Sequence, residues 1–405
     1  MNIGIYGGTF DPIHKGHLAA ALFAVESLHL ECLYLIPTGI PPHKAVREDS
    51  ADSTHRLEMT RLAAASLGLP EVIEVLDVEL KRGGSSYTVD TLREIAAQHP
   101  EDTIYLLMGA DMFLTFQYWK APQEIAGLCT LCAFGRSRSD AEELLAVQRD
   151  YLKDRFGADI VTITLPDPVE ISSTRLRQML AQGQGREYLT DAVYGYILRE
   201  QLYGTKKDLK NLSLDELRCV ALTMLNPKRI PHVLGTEETA AALAVRWGAD
   251  EEEARRGALL HDCTKRMSRE EHLALCRRFG ETDIGRLDTK LLHAITGAMV
   301  AREVFGVSPA IEQAIRWHTT GKADMTLLEK IIYLADYIEP NRSFCDLTEL
   351  RRLSMEHLDK ALLLGFSMAV EDLQQKGVVV DDRSREARDY LRQQLEQGEG
   401  SGKEI

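Results

Sequence analysis

Short apolar runs recur through the first half of the chain, at residues 3–6, 32–36, 72–75, 104–108, 128–134 and 160–163, separated by stretches of helical spacing such as residues 16–29. Runs of this length read as strands buried on both faces, and their alternation with helices predicts a doubly wound parallel sheet covered on either side. From about Leu212 the pattern changes. Strand signals nearly vanish and amphipathic helices follow one another, with Ser268-x-x-Glu271 as a capping box and Pro309 opening a further helix. The expected organisation is an α/β domain over residues 1–203, a polar linker over 204–212 containing GTKKDLK, an all-α domain over 213–392, and a disordered tail over 393–405 ending in GEGSGKEI.

Composition narrows the function classes. A length of 405 residues fits two domains, each with its own core. The 48 basic and 62 acidic side chains give a formal charge of −14, which argues against holding long nucleic acids by phosphate neutralisation. Small anionic substrates need only a local cluster of donors. No run of about 20 apolar residues occurs and the first residues lack the pattern of a signal peptide, so a cytoplasmic protein without a membrane role is expected. A homo-oligomer is compatible with all of this. Seven Cys lack the density of a disulfide scaffold. Cys129 and Cys132, three apart in an expected strand, should face opposite sides, which speaks against a redox or zinc pair.

The first expected strand runs into Gly7-Gly8-Thr9-Phe10-Asp11-Pro12-Ile13-His14-Lys15-Gly16-His17 and then a helix. A Gly pair at a strand-to-helix turn lets the backbone N–H groups around Gly8, Thr9 and Phe10 approach an anion, and the helix N-terminus adds its dipole. His14-x-x-His17 places two imidazoles at the mouth of that turn, where donors can flank a phosphate undergoing displacement. A metal pair is the competing reading, but the next acid, Asp11, precedes a Pro in the turn. Ser172, Ser173 and Arg175 offer hydroxyls, N–H groups and a guanidinium at another helix start, suited to an N-cap or to a phosphate. Asp111 follows an apolar strand, at the end where open α/β sheets bind ligands.

The segment GGTFDPIHKGH resembles the signature of the HxGH nucleotidyltransferases. PPHK at 41–44, SSYTVDTL at 85–92, GADMF at 109–113 and ISSTRLR at 171–177 are similar to nicotinate mononucleotide adenylyltransferases in particular. The resemblance covers roughly residues 1–203 and implies a Rossmann-like fold that transfers AMP from ATP to nicotinate mononucleotide, with release of pyrophosphate. It further implies that His17 stabilises the α-phosphate, that His14 and Lys44 hold ATP phosphates, and that Asp111 meets a nucleotide ribose. Thr88 and Trp119 would then receive the nicotinate ring, unless Trp119 is structural, and Arg136 the mononucleotide phosphate. Mg²⁺ should accompany ATP.

In the helical half, the ionisable residues that interrupt apolar faces are His232, His261, Asp262, His293, His318 and Asp336. Gly297, one turn after His293, should leave room beside that ring. A carboxylate such as Asp336, within the apolar helix IIYLADYIEP, calls for a cation as partner. His272 and His357 read as ordinary structural residues. PHVLGT, ALLHDCTK, HAITG, HTTG and ADYIEPNR together resemble the bacterial HD-domain hydrolases that split diadenosine tetraphosphate symmetrically, over about residues 213–392. The resemblance implies His232, His261, Asp262 and Asp336 as ligands of a divalent metal, iron or manganese, with Asp262 at the catalytic centre. His293 and His318, with Thr319 beside the latter, would either complete a second site or contact phosphates. Arg229, Lys265 and Arg342 are placed to neutralise a polyphosphate or to stand as solvated charges. The expectation is a bifunctional enzyme. The alternatives for the second half are a nucleotide-binding regulatory module or hydrolysis of another nucleotide.

Overall fold

The structure is a computed structural model that describes residues 1–39, 49–84, 86–135, 139–166, 168–281, 288–342 and 346–400. The chain divides into two compact units, Met1–Lys206 and Lys207–Ile405. No helix among the described residues is long and apolar enough to cross a membrane.

The first unit is built on six strands: β1 (Asn2–Gly8), β2 (Cys32–Pro37), β3 (Ile73–Val75), β4 (Thr103–Gly109), β5 (Thr130–Gly135) and β6 (Ile160–Thr164). All pair in parallel, in the order β3-β2-β1-β4-β5-β6. Alternate residues feed two cores. Leu107, Cys132 and Phe134 pack on one face of the sheet, while Leu106, Met108, Leu131 and Ala133 pack on the other. Helices cover both faces, which makes this a Rossmann-like sheet whose order reverses between β1 and β4, opening a crevice at their carboxyl ends. Leu128 and Cys129 end the helix Pro122–Leu128 instead of starting β5, because Cys129 N–H and Sγ both bond back to the Ile125 carbonyl. Cys129 and Cys132 still lie in different cores, and the described cysteines are free.

Among the described residues of the second unit, the regular elements are all helices. Its centre is the helix Thr289–Phe305, buried on every side from Leu292 to Ala301. Small residues permit this, since a Cβ on Gly297 would already lie 3.3 Å from the His261 carbonyl. The space beside Gly297 is therefore filled by the neighbouring turn, not left open next to His293. Helix starts follow the capping signals: Ser268 with Glu271, Thr326 with Glu329, and Ser308 before Pro309. The last helix, Asp382–Gly400, runs through residues 393–400. Buried Ala387 and Leu391 anchor that helix, and the strong helix formers around them carry it onward.

Candidate functional site

The turn after β1 enters the crevice where β1 and β4 part. A Cβ on Gly8 would meet the Phe10 ring at 2.7 Å, and Phe10, in the left-handed region at φ 48°, is turned inward and buried. Gly16 is needed for a similar reason, because a Cβ there would come within 3.0 Å of His14 Nδ1 and 3.2 Å of the Val169 carbonyl. His14 stands at the start of the helix Lys15–Ser27, and its backbone N–H donates to Nδ1 of His17 at 3.3 Å. The two rings lie with centroids 3.8 Å apart. With Nδ1 of His17 accepting, the ring proton sits on Nε2 and makes that atom a donor. Burial lowers the pKa of His14 to about 4. Burial, then the neighbouring His14, holds His17 well below the ordinary histidine value. Two neutral imidazoles thus stand at a helix N-terminus, whose free N–H groups favour an anion.

This turn lines a cleft of about 960 Å³. Of the residues expected from the sequence, the structure brings Thr9, Phe10, His14, His17, Asp111, Ser172 and Ser173 to its wall. Ser172 also caps the helix Ser173–Leu180, accepting from Arg175 N–H at 3.3 Å. Gly8, Thr88, Trp119 and Arg175 are not among the lining residues. Trp119 packs on Phe116 with centroids 5.5 Å apart, Thr88 opens the helix Thr88–Gln98, and Arg175 is exposed. Lys44 and Arg136 lie outside the described residues. The cleft also holds residues the sequence reading missed. Arg56 donates to the Thr9 carbonyl and Arg177 to the Asp11 carbonyl, each at 2.8 Å, so two buried guanidinium groups brace the turn. Glu79, whose carboxyl burial pushes up, accepts from Thr91 at 3.0 Å and from Gly39 N–H at 3.3 Å.

In the second unit five elements converge. His232 comes from the helix Ile230–Trp247, His261 and Asp262 from the end of Glu251–Leu260, and His293 from Thr289–Phe305. His318 ends Pro309–Trp317, and Asp336 comes from Leu327–Ile338. Their ligand atoms form three overlapping groups in which all lie within 4.8 Å of one another: His232, His261 and Asp262; His261, His318 and Asp336; and Asp262, His293 and His318. Nε2 of His232 is 3.0 Å from Asp336 Oδ1, without the angles of a hydrogen bond. Nε2 of His261 lies 3.5 Å from Asp262 Oδ2 and 3.7 Å from Asp336 Oδ1. Nε2 of His293 lies 3.2 Å from both Asp262 Oδ1 and Nε2 of His318.

The donor chemistry fits a cation. Nδ1 of His261 and of His318 faces the carbonyls of Ala258 and Ile315, at 2.6 and 2.7 Å, which fixes the proton on Nδ1 and leaves Nε2 with a lone pair. His232 Nδ1 meets Glu339 Oε1 at 3.1 Å. Nε2 of His232 and of His261 is buried with no hydrogen-bond partner, which is costly unless an ion takes the lone pair. Burial lowers His261, and it lowers His318 to about 3. Burial acts to raise Asp262 and Asp336, but the surrounding imidazoles with Lys265 and Arg342 outweigh it, holding both carboxyls well below their ordinary range. Lys265 Nζ lies 3.2 Å from Asp262 Oδ1, Arg342 Nη2 donates to Asp336 Oδ1 at 2.8 Å, and Arg229 pairs with Asp262. Thr319, next to His318, is half-buried.

Glu339 is the residue the sequence reading overlooked here. It is 1% exposed, and its second oxygen accepts from Asn341 N–H at 2.7 Å and Asn341 Nδ2 at 2.9 Å. A Cβ on Gly235 would collide with that carboxylate. His272, as expected, is structural, with Nδ1 bonded to Thr296 Oγ1 at 2.8 Å. His357 stands at the start of the helix Leu358–Gln375.

Comparison with known proteins matches the two halves of the chain separately. Residues 5–179 match the family described as cytidylyltransferase-like, and residues 229–341 match the HD domain. Over half of its length this chain is 39% identical to a probable nicotinate-nucleotide adenylyltransferase of Shewanella frigidimarina, which it covers entirely. It is 38% identical to a protein of the same description from Marinobacter nauticus, over 50% of this chain and 96% of that one. Among solved structures, one described as a predicted HD superfamily hydrolase involved in NAD metabolism, from Clostridium acetobutylicum, is 36% identical with a TM-score of 0.42, over 45% of this chain and 98% of that one.

Proposed function

We propose, from a chain that belongs to the nicotinate-nucleotide adenylyltransferase family through its first half and carries an HD domain in its second, that one polypeptide performs two reactions at phosphorus. The first is adenylyl transfer from ATP to nicotinate mononucleotide. The second is metal-dependent, symmetrical hydrolysis of diadenosine tetraphosphate to ADP.

In the first reaction a phosphate oxygen of nicotinate mononucleotide bonds to the α-phosphorus of ATP, and the bond to the bridging oxygen breaks as pyrophosphate leaves. Catalysis of such a step is mostly positioning and charge stabilisation. The observation that carries the assignment is the hydrogen bond from His14 N–H to His17 Nδ1, which presents Nε2–H of a neutral His17 as a fixed donor for the α-phosphate oxygens. His14 and Lys44 would hold the other ATP phosphates, Gly8, Thr9 and Phe10 the backbone side of the cradle, and Ser172, Ser173 and Arg175 the second helix start. Asp111 would meet the ribose, Thr88 and Trp119 the nicotinate ring, and Arg136 the mononucleotide phosphate. Mg²⁺ would arrive with ATP, held mainly by phosphates and water. Purified protein with Mg²⁺, ATP and nicotinate mononucleotide should release pyrophosphate, and no release would refute the assignment.

For the second reaction the supporting observation is the pair of buried, unpartnered Nε2 atoms beside two carboxylates. His232, His261, Asp262 and Asp336 would hold the ion, and their nitrogen and oxygen donors suit iron or manganese. A divalent cation supplies a Lewis acid and lowers the pKa of water to near neutrality. The chain's own groups do the rest. Arg229, Lys265, His293, His318, Thr319 and Arg342 would align the polyphosphate, so that a water oxygen bonds to one inner phosphorus and the central bridging oxygen departs with the other ADP. A purely regulatory nucleotide module has no need of a complete ligand set, which supports hydrolysis. Iron- or manganese-loaded protein should release ADP from diadenosine tetraphosphate. Intact substrate would favour the regulatory module, and cleavage of a different nucleotide would redefine the substrate.

A further inference from the structure

We infer that Tyr203, the last large apolar side chain of the first unit, is a positioning residue for the transferase turn: its hydroxyl fixes Asp11, and through Asp11 the backbone that sets His14 and His17. The inference rests on the adenylyltransferase reading proposed above.

The chain adopts an unfavourable path to bring this ring inward. Gln201 and Tyr203 both lie in the left-handed region, at φ 53° and 55°, and Gly204 follows at φ 73°. Such a conformation is strained for residues with a side chain and persists only where the surroundings over-determine it. Here Tyr203 is 9% exposed, and its hydroxyl donates to Asp11 Oδ1 at 2.7 Å. The same oxygen accepts Ala51 N–H at 3.1 Å, while Oδ2 lies 3.6 Å from Arg177 Nη1. Asp11 is 3% exposed, so losing the Tyr203 hydroxyl would leave Oδ1 with only the Ala51 N–H and loosen a buried carboxylate.

Asp11 is joined to His14 only by Pro12 and Ile13. The Pro12 carbonyl accepts from Ser173 at 3.2 Å, and Ile13 is 1% exposed. A shift at Asp11 is therefore passed along a packed segment to His14, and then to His17 through the 3.3 Å bond from His14 N–H. Tyr203 itself does not line the cleft, so it acts through other residues and touches no reacting atom.

The test is Tyr203→Phe in the full chain, which keeps the ring and removes only the hydroxyl. Transferase kcat should fall about 10- to 100-fold, the range expected from sub-ångström to ångström misplacement of catalytic groups, with KM for either substrate changing less than about twofold. The His14 amide should exchange faster with solvent while amides of β1 keep their protection. Hydrolysis of diadenosine tetraphosphate by the same preparation should be unchanged. A variant with wild-type kcat and wild-type His14 exchange would overturn the inference. So would one in which β1 loses protection as much as His14 does, since that is a purely structural role. If the wild-type protein releases no pyrophosphate, the adenylyltransferase reading falls, and the exchange measurement still decides whether Tyr203 holds the turn.

Discussion

The two halves use the same side chain in opposite senses. In the first unit the second nitrogen of His17 is engaged as an acceptor, so Nε2 carries the proton and can donate to an anion. In the second unit Nδ1 of His261 and of His318 is engaged as a donor to carbonyls, so Nε2 is bare and can bind a cation. What an imidazole does is decided by the group on its other nitrogen. The sites also differ in construction. One is largely a single continuous turn held by backbone and helix ends, and the other is assembled from helices spread between His232 and Asp336.

This contrast is broken most severely by removing a group on which many others converge. Asp262 is fully buried and faces His261, His293, Lys265 and Arg229. Asp262→Ala should abolish hydrolysis of diadenosine tetraphosphate and the retention of divalent metal, while pyrophosphate release continues at the wild-type rate. Metal analysis and the two assays on one preparation check this. Loss of both activities together would mean that the halves do not work independently. His17→Ala is the reciprocal change. Removing one preorganised donor should lower transferase kcat by about 100- to 1,000-fold and leave metal content and hydrolysis intact.

Local patterns explain what could be read in advance. Each of the six strands begins within two residues of its apolar run, and the reversal in strand order places the Gly-rich turn where such sheets bind ligands. The histidine turn was legible because its parts are contiguous, and the helical cluster because polar residues interrupt apolar faces. The supporting contacts were not legible. Glu339 meets His232 across 107 residues, Arg177 meets Asp11 across 166, and Tyr203 meets Asp11 across 192. Each looks like an ordinary residue in its own segment, and only tertiary packing gives it a role. Trp119, proposed above for the nicotinate ring, stands one step from the cleft. A ring suited to stacking on a ligand is half-buried against Phe116 and does not line the cleft. The last helix continued past 393 because two buried residues upstream hold it down.

Glu339 sharpens the contrast at intermediate size. It faces Nδ1 of His232 and leaves Nε2 free for the proposed cation, so Glu339→Gln should keep the fold and weaken metal affinity by about 10- to 100-fold, the usual cost of losing such a partner. Titration of the metal-free protein with manganese measures it directly. An unchanged affinity would show that His232 is positioned by its helix alone.

The smallest effect separates the halves by pH. Unfolded His14 takes up a proton below the ordinary value of 6.5, whereas folded His14, buried, does so only below about 4. Between those limits the unfolded state holds more protons, so His14 makes the first unit lose stability as pH falls from 6.5 towards 4. The loss is about 1.4 kcal/mol per pH unit for one such group, and it levels off below the folded value. His17 acts in the same direction, so the wild-type slope should exceed that of one group. In His14→Gln the slope should be shallower by up to that amount, with little difference above pH 6.5. Urea unfolding followed through the amides of β1 measures both curves. Saturating manganese should leave the difference untouched under the proposed reading of His14 and His17 as neutral phosphate donors. At the second site protons and the cation compete for the same nitrogen atoms, so there the acid sensitivity should shift with metal concentration. If manganese altered the His14 difference, the metal-pair reading of His14 and His17 would replace the phosphate-donor one.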